Sequence, residues 1–166
     1  MRAVIFLDRD GVINHDPGDY TRSLEEFTIL PTVMGALKRL TSAGFELVLI
    51  TNQGGIAKGQ YTHEDVALIH DFLRLRCAEN GTPLLDIYYS PHHPVQGESL
   101  SRKPGSLMIE RACARYGIDP AASWMVGDKE RDLACGAGAG VQGVLIPVNA
   151  DLADYVDVML EKSPAA

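Results

Sequence analysis

Five short apolar runs, separated by segments of helical period, constrain the fold of this chain more than any other feature. The first, Ala3-Val4-Ile5-Phe6-Leu7, is continuous and β-rich, the pattern of a strand buried on both faces. Residues 47–50, 85–89, 124–126 and 144–146 supply the other four. Between them, Val33, Leu37 and Leu40 recur at helical spacing, with Gly44 as the stop. Thr62 reads as an N-cap, with Glu64 and Asp65 in the first turn and Val66, Ile69, Phe72 and Leu73 as the apolar face. A third helix is predicted over 107–116, stopped by Gly117, and a small-residue helix over 132–139. The stretch from Ala150 has no clear period, and its last few residues are expected to fray. Strands alternating with helices predict an α/β fold with a mainly parallel sheet, in one domain over residues 1–166.

Composition narrows the partners. Twenty-two acidic against 15 basic residues give a net charge of −7, which argues against nucleic acid and against a basic membrane-surface role. No run approaches the ~18 apolar residues of a membrane span. Cys77, Cys113 and Cys135 stand 36 and 22 residues apart, without metal-knuckle or redox spacing. Reduced, buried thiols in a cytoplasmic protein are the expectation.

In a parallel sheet, ligands bind beyond the carboxyl ends of the strands. Asp8-Arg9-Asp10-Gly11 follows the first strand and Thr51-Asn52-Gln53-Gly54 the second. The long loop after the third ends in Arg102-Lys103-Pro104, and Gly127-Asp128-Lys129 follows the fourth. Each motif alone is common: an acid pair can be a turn, a threonine a strand-end cap, a lysine a solvated charge. Four such groups at the ends of four strands make a set suited to metal-assisted phosphoryl transfer. A carboxylate attacking a phosphate meets like charge, and a divalent cation between them removes the repulsion. Asp8 and Asp128 offer hard oxygen ligands for Mg²⁺. Asp8 can then act as nucleophile and Asp10 as general acid and base. Thr51 and Lys103 can hold the non-bridging oxygens. The Gly54-Gly55 turn can present backbone N–H groups to an anion. A receiver-type signalling domain, which also combines aspartates, a threonine and a lysine, is the non-enzymatic alternative. Its phospho-acceptor would follow the third strand, where this chain has Ser90-Pro91-His92.

On these motifs the chain resembles the haloacid dehalogenase (HAD) superfamily of phosphohydrolases, and within it the histidinol-phosphatase-like branch, which includes heptose-bisphosphate phosphatases. Asp8-Arg9-Asp10-Gly11-Val12-Ile13-Asn14, Thr51-Asn52-Gln53-Gly54-Gly55-Ile56-Ala57-Lys58-Gly59 and Tyr88-Tyr89-Ser90-Pro91-His92-His93-Pro94 carry the resemblance. So do Arg102-Lys103-Pro104 and Met125-Val126-Gly127-Asp128-Lys129, with Asp132 four residues beyond Asp128. It implies a Rossmann-like three-layer sandwich without a large cap domain. It also implies a Mg²⁺-dependent phosphoric monoester hydrolase working through an aspartyl-phosphate. Asp8, Asp10 (through its carbonyl) and Asp128 would be the metal ligands. Asp16, Gly18, Asp19, Tyr20, Thr51, Asn52, Gln53, Gly54, Arg102, Lys103 and Lys129 would meet the phosphoryl group or the rest of the substrate. The implied substrate is a heptose 1,7-bisphosphate losing its C7 phosphate, a step toward lipopolysaccharide, with histidinol phosphate or another small phosphomonoester as the alternative. A monomer is expected.

The chain departs from the family at one place. The branch often carries a structural zinc on the loop after the third strand, held by three cysteines and a histidine. Here Ser90, Ser99 and Ser101 stand at the cysteine positions and only His92 remains, so no structural zinc is expected.

Overall fold

A computed structural model describes residues 1–161, and the terminal residues expected to fray lie outside them. The five apolar runs all form strands: β1 (Val4–Leu7), β2 (Glu46–Asn52), β3 (Leu84–Ser90), β4 (Trp124–Gly127) and β5 (Gln142–Leu145). They pair in the order β3-β2-β1-β4-β5, every pair parallel.

β1 shows no polar alternation because both its faces are covered. Ile5 and Leu7 join Leu47, Leu49, Trp124 and Val126 in one apolar layer. Val4 and Phe6 join Val48, Ile50 and Met125 in the other. The first layer is closed by α1 (Val33–Ser42), α2 (His63–Glu79) and α5 (Val156–Leu160), which contribute Leu37, Leu40, Ile69, Leu73, Val156 and Met159. The second is closed by α3 (Leu107–Tyr116) and α4 (Glu130–Gly138), with Met108, Ile109, Ala112 and Cys135. Each large aliphatic group so buried contributes about 1.5–3 kcal/mol, enough to override weak local preferences.

Local signals set the helix ends. Thr62 and Asp65 form a capping box: the Thr62 Oγ1 accepts the Asp65 N–H at 3.2 Å, and the Asp65 carboxylate accepts the Thr62 N–H at 2.9 Å. α4 begins at Glu130, two residues before its expected start, because Asp132 caps it from inside by accepting the Lys129 N–H at 3.0 Å. The unpatterned stretch after Ala150 forms a 3₁₀ turn at Leu152–Tyr155 and then α5, since Leu152, Val156 and Met159 all reach the first layer. Cys77 and Cys135 are buried thiols, whereas Cys113 is only half-buried.

Parallel pairing puts the carboxyl ends of β1, β2, β3 and β4 on one rim. The loops over 14–31 and 90–104 rise beside it, each carrying one 3₁₀ turn, Leu24–Glu26 and Pro94–Gln96.

Candidate active site

The register of the sheet assembles the site. Asp8 follows β1, and its N–H donates to the Val126 carbonyl at 3.0 Å, which brings it level with the end of β4. Carboxylate oxygens of Asp8, Asp128 and Asp132 then lie within 4.8 Å of one another. Two glycines permit this. A Cβ on Gly11, which has φ of +85°, would stand 2.6 Å from Asp128 Oδ2. A Cβ on Gly127 would stand 2.1 Å from the Asp132 Cβ.

Lys103 reaches the cluster from below. Its Nζ lies 2.8 Å from Asp8 Oδ1, 2.6 Å from Asp132 Oδ1 and 2.9 Å from the Ile50 carbonyl oxygen. The Asp8 and Ile50 oxygens accept hydrogen bonds from this ammonium, whereas Asp132 Oδ1 pairs with it by charge, without hydrogen-bond alignment. Asn52 fixes the lysine's backbone from both sides, accepting the Lys103 N–H at 2.9 Å and donating to its carbonyl at 3.1 Å. Burial would lower the Lys103 pKa, but Asp8 and Asp132 outweigh it and hold the ammonium above its ordinary value. Burial pushes the Asp8 carboxyl up to about 7 against the pull of Lys103, helped by the charges of Asp132 and Asp10.

The donor set fits a hard divalent cation. Asp128 Oδ1 is buried and, among the described residues, has no hydrogen-bond partner. Its Oδ2 lies 3.1 Å from the Lys129 ammonium without hydrogen-bond alignment. Three carboxylates face the buried Lys103 and the half-exposed Lys129, so negative charge is in excess. Oxygen donors with uncompensated charge are what Mg²⁺ takes.

Asp10 belongs to a second network. The fully buried Arg9 donates from Nη2 to both Asp10 oxygens, at 3.0 and 3.2 Å, and Asn14 Nδ2 donates to Oδ1 at 3.0 Å. Gln53 Nε2 donates to Asp10 Oδ2 at 3.0 Å and to Thr51 Oγ1 at 2.9 Å, and its Oε1 accepts from Tyr61 at 2.6 Å. Burial would raise the Asp10 carboxyl, but the Arg9 charge and these hydrogen bonds outweigh it and hold it below the usual carboxylate range. Burial pushes the Tyr61 phenol up to about 12, so it stays a donor.

Above Asp10 opens a cleft of about 490 Å³, within the range of small-molecule sites. Asp16, Gly18, Asp19, Tyr20, Asn52, Gln53 and Lys129, all expected at the site, line it. Thr51 lies buried beneath. Gly54 sits under Arg102 instead of on the cleft wall: a Cβ there would stand 2.9 Å from Arg102 Nη1. Tyr61 and Arg131 also line the cleft, and sequence reasoning assigned neither a role. Asp132, which the fourth motif carries four residues beyond Asp128, pairs with Lys103. Arg131 was findable as a cation between two acids in the first turn of α4, where the helix dipole favours acids.

In the loop over 90–104, the three serines at the expected cysteine positions bind one another. Ser101 Oγ lies 3.0 Å from Ser90 Oγ and 2.9 Å from Ser99 Oγ. His92 is exposed, and its carbonyl accepts from Arg102 Nη1 at 3.0 Å. His93 Nδ1 accepts the Val95 N–H at 3.2 Å.

The HAD-hydrolase-like family model matches residues 100–157. D-glycero-beta-D-manno-heptose-1,7-bisphosphate 7-phosphatase of Haemophilus influenzae is 40% identical over 169 residues, covering 94% of this chain and 91% of that one. D-glycero-alpha-D-manno-heptose-1,7-bisphosphate 7-phosphatase of Photorhabdus laumondii is 39% identical over 144 residues, covering 83% and 78%. The crystal structure of D,D-heptose 1,7-bisphosphate phosphatase from B. bronchiseptica, complexed with magnesium and phosphate, superposes with a TM-score of 0.86. It is 33% identical and covers 98% of this chain and 100% of that one.

Proposed function

The chain belongs to the heptose-bisphosphate phosphatase family of HAD-like hydrolases, and we propose that it removes the C7 phosphate of D-glycero-D-manno-heptose 1,7-bisphosphate through a phosphorylated Asp8. The observation that carries this reading is the Asp8 carboxylate held by Lys103 and clustered with Asp128 and Asp132, next to a polar cleft that Asp10 and Lys129 of the same two motifs line. With Asp8, Asp128 and the Asp10 carbonyl as protein ligands, Mg²⁺ would neutralise the repulsion between carboxylate and phosphate.

The residues of the chain divide the rest of the work. Asp8 attacks phosphorus as the bond to the C7 oxygen breaks. Asp10 gives that oxygen a proton. In the second half Asp10 takes a proton from water, the water oxygen bonds to phosphorus, and the Asp8–phosphorus bond breaks. The network around Asp10 favours its carboxylate, which suits the second half. The negative charge of an arriving phosphate raises the pKa of Asp10, which suits the first. Lys103 starts on Asp8 and passes to the phosphoryl oxygens as the carboxylate becomes an ester. Thr51 and the ordered Gln53 amide support the same oxygens. On this reading the enzyme works as a cytoplasmic monomer, a setting that suits its free thiols.

The test is phosphate release with Mg²⁺ from the heptose 1,7-bisphosphate and from histidinol phosphate, for the wild type and Asp8→Asn. We expect the bisphosphate to be strongly preferred, with only the heptose 1-phosphate formed, and the variant to be inactive. Preference for histidinol phosphate, or activity surviving in Asp8→Asn, overturns the reading.

A further inference from the structure

The cleft holds a cation that the chemistry at Asp8 does not use. Arg131 is the second residue of α4, between Glu130 and Asp132. It is exposed and lines the cleft together with Asn52, Tyr20 and Tyr61. Among the described residues its guanidinium has no hydrogen bond and no ion pair, although the chain carries seven more acidic than basic side chains. The helix does not explain it either, because a cation in a first turn opposes the helix dipole. A second guanidinium, Arg102, lies outside the cleft lining, over Gly54 and so beside the cleft residue Gln53. Burial and then the like charge of Arg131 hold Arg102 below its ordinary value, while Tyr20 and Tyr61 pull the other way. Arg102 thus feels three residues of the cleft wall. Its Nη1 is anchored on the His92 carbonyl at 3.0 Å, which keeps it from swinging away. Two neighbouring guanidinium groups of one sign are unfavourable until an anion comes between them, and the planar fork of arginine matches a phosphate.

We propose that Arg131 is a specificity-determining residue that, together with Arg102, binds the phosphate the enzyme does not hydrolyse. This rests on the bisphosphatase reading and deepens it. The scissile phosphate sits over Asp8, and the distal one bridges the loop over 90–104 and the first turn of α4. Arg131 contributes little to a substrate with one phosphate and much to one with two. With Lys129 it sets two cations against the carboxylates of Asp10, Asp16 and Asp19 that share the cleft wall, which gives a small dianion a place to bind on an acidic surface.

The experiment compares kcat/KM for the heptose 1,7-bisphosphate with kcat/KM for the heptose 7-phosphate, in the wild type, Arg131→Gln and Arg131→Lys, with Mg²⁺. The wild-type ratio is expected to exceed 10. In Arg131→Gln the ratio is expected to fall about 10- to 100-fold, as for one lost charge-assisted contact, with the loss in KM for the bisphosphate. Arg131→Lys should recover part of it, and raised salt should weaken the wild-type preference. A ratio unchanged in Arg131→Gln while the wild type prefers the bisphosphate overturns the role of Arg131 alone. So does an equal loss on both substrates, which would mark a structural effect. A wild type without preference for the bisphosphate overturns the proposal together with the reading beneath it.

Discussion

Asn149 grips the backbone of Asp16 at both ends: its Oδ1 accepts the Asp16 N–H at 2.7 Å, and its Nδ2 donates to the Asp16 carbonyl at 2.8 Å. Its own N–H donates to the Gly11 carbonyl at 2.9 Å, and its φ of 61° is a left-handed conformation that asparagine tolerates better than most residues. One side chain after β5 therefore ties the turn after Asp8 to the segment from Asp16 to Tyr20, which forms a wall of the cleft.

Replacing Asn149 should accordingly disturb substrate binding before chemistry. Asn149→Gly keeps the backbone conformation and removes the grip, whereas Asn149→Ala loses both. We expect KM for the bisphosphate to rise by up to about 30-fold in both, as two hydrogen bonds of about 1 kcal/mol each are lost, with kcat within a factor of three. Only the alanine variant should also lose thermal stability from strain. Unchanged KM in Asn149→Gly would show that the loop holds itself.

Lys103→Met tests the buried charge cluster. Lys103 and Asp132 are almost wholly inaccessible, and removing the cation strands two carboxylates in the interior. Breaking a buried pair in this way costs about 3–5 kcal/mol. Urea unfolding should show that loss, and turnover should disappear. Lys103→Met combined with Asp132→Leu removes one stranded charge and should regain part of the stability without regaining activity. Full activity in the single variant would mean that Lys103 serves only the fold.

The parts of this molecule legible in its sequence are those written in local pattern. The unbroken apolar run of β1 announced burial on both faces, and Thr62 with Asp65 announced the start of α2. Asp8, Thr51, Lys103 and Asp128 stand just past four runs that the parallel sheet brings to one rim. Strand order was not legible: Asp86 marks β3 as less buried, as its edge position explains, but nothing in a parallel strand names its neighbour. Asp132 was legible as an acid of the Asp128 motif but not as the partner of Lys103, because that pairing depends on how α4 packs against β4. Asn149 meets Asp16 across 133 residues of chain, a contact that no local period encodes. Arg131 was visible only as a charge of the wrong sign for its place.

Ser101, the residue before Arg102, is the middle of a three-hydroxyl chain with Ser90 and Ser99 at its ends. Ser101→Ala removes both contacts at once. Proteolysis between residues 94 and 101 should become faster, and KM for the bisphosphate should rise a few-fold. Ser101→Thr keeps the hydroxyl and should restore both. If Ser101→Ala resists protease as the wild type does, the loop is held by its prolines instead.

His70 sets a pH dependence of stability. It is buried, its Nε2 lies 3.3 Å from Arg9 Nη1, and its ring meets Tyr89 edge-on. Burial and then the Arg9 charge push its pKa down to about 3, from 6.5 when exposed. Between those values the unfolded chain takes up a proton that the folded one refuses, so this contribution to stability is complete above pH 6.5 and is lost as pH falls toward 3. The slope is at most about 1.4 kcal/mol per pH unit. Asp8 works in the opposite direction: its folded value of about 7 lies above the ordinary 3.8, so its protonation favours the folded state as pH falls through the same window. The two oppose each other in the wild type, so the total curve understates each. His70→Gln separates them, because glutamine can still accept from Arg9 but does not titrate. In EDTA, the stability of wild type minus variant should fall steadily from pH 6.5 to pH 4. The variant alone should hold or gain stability across that range. A difference that stays flat from pH 6.5 to pH 4 would mean that His70 becomes charged without cost, and that Arg9 moves to let it.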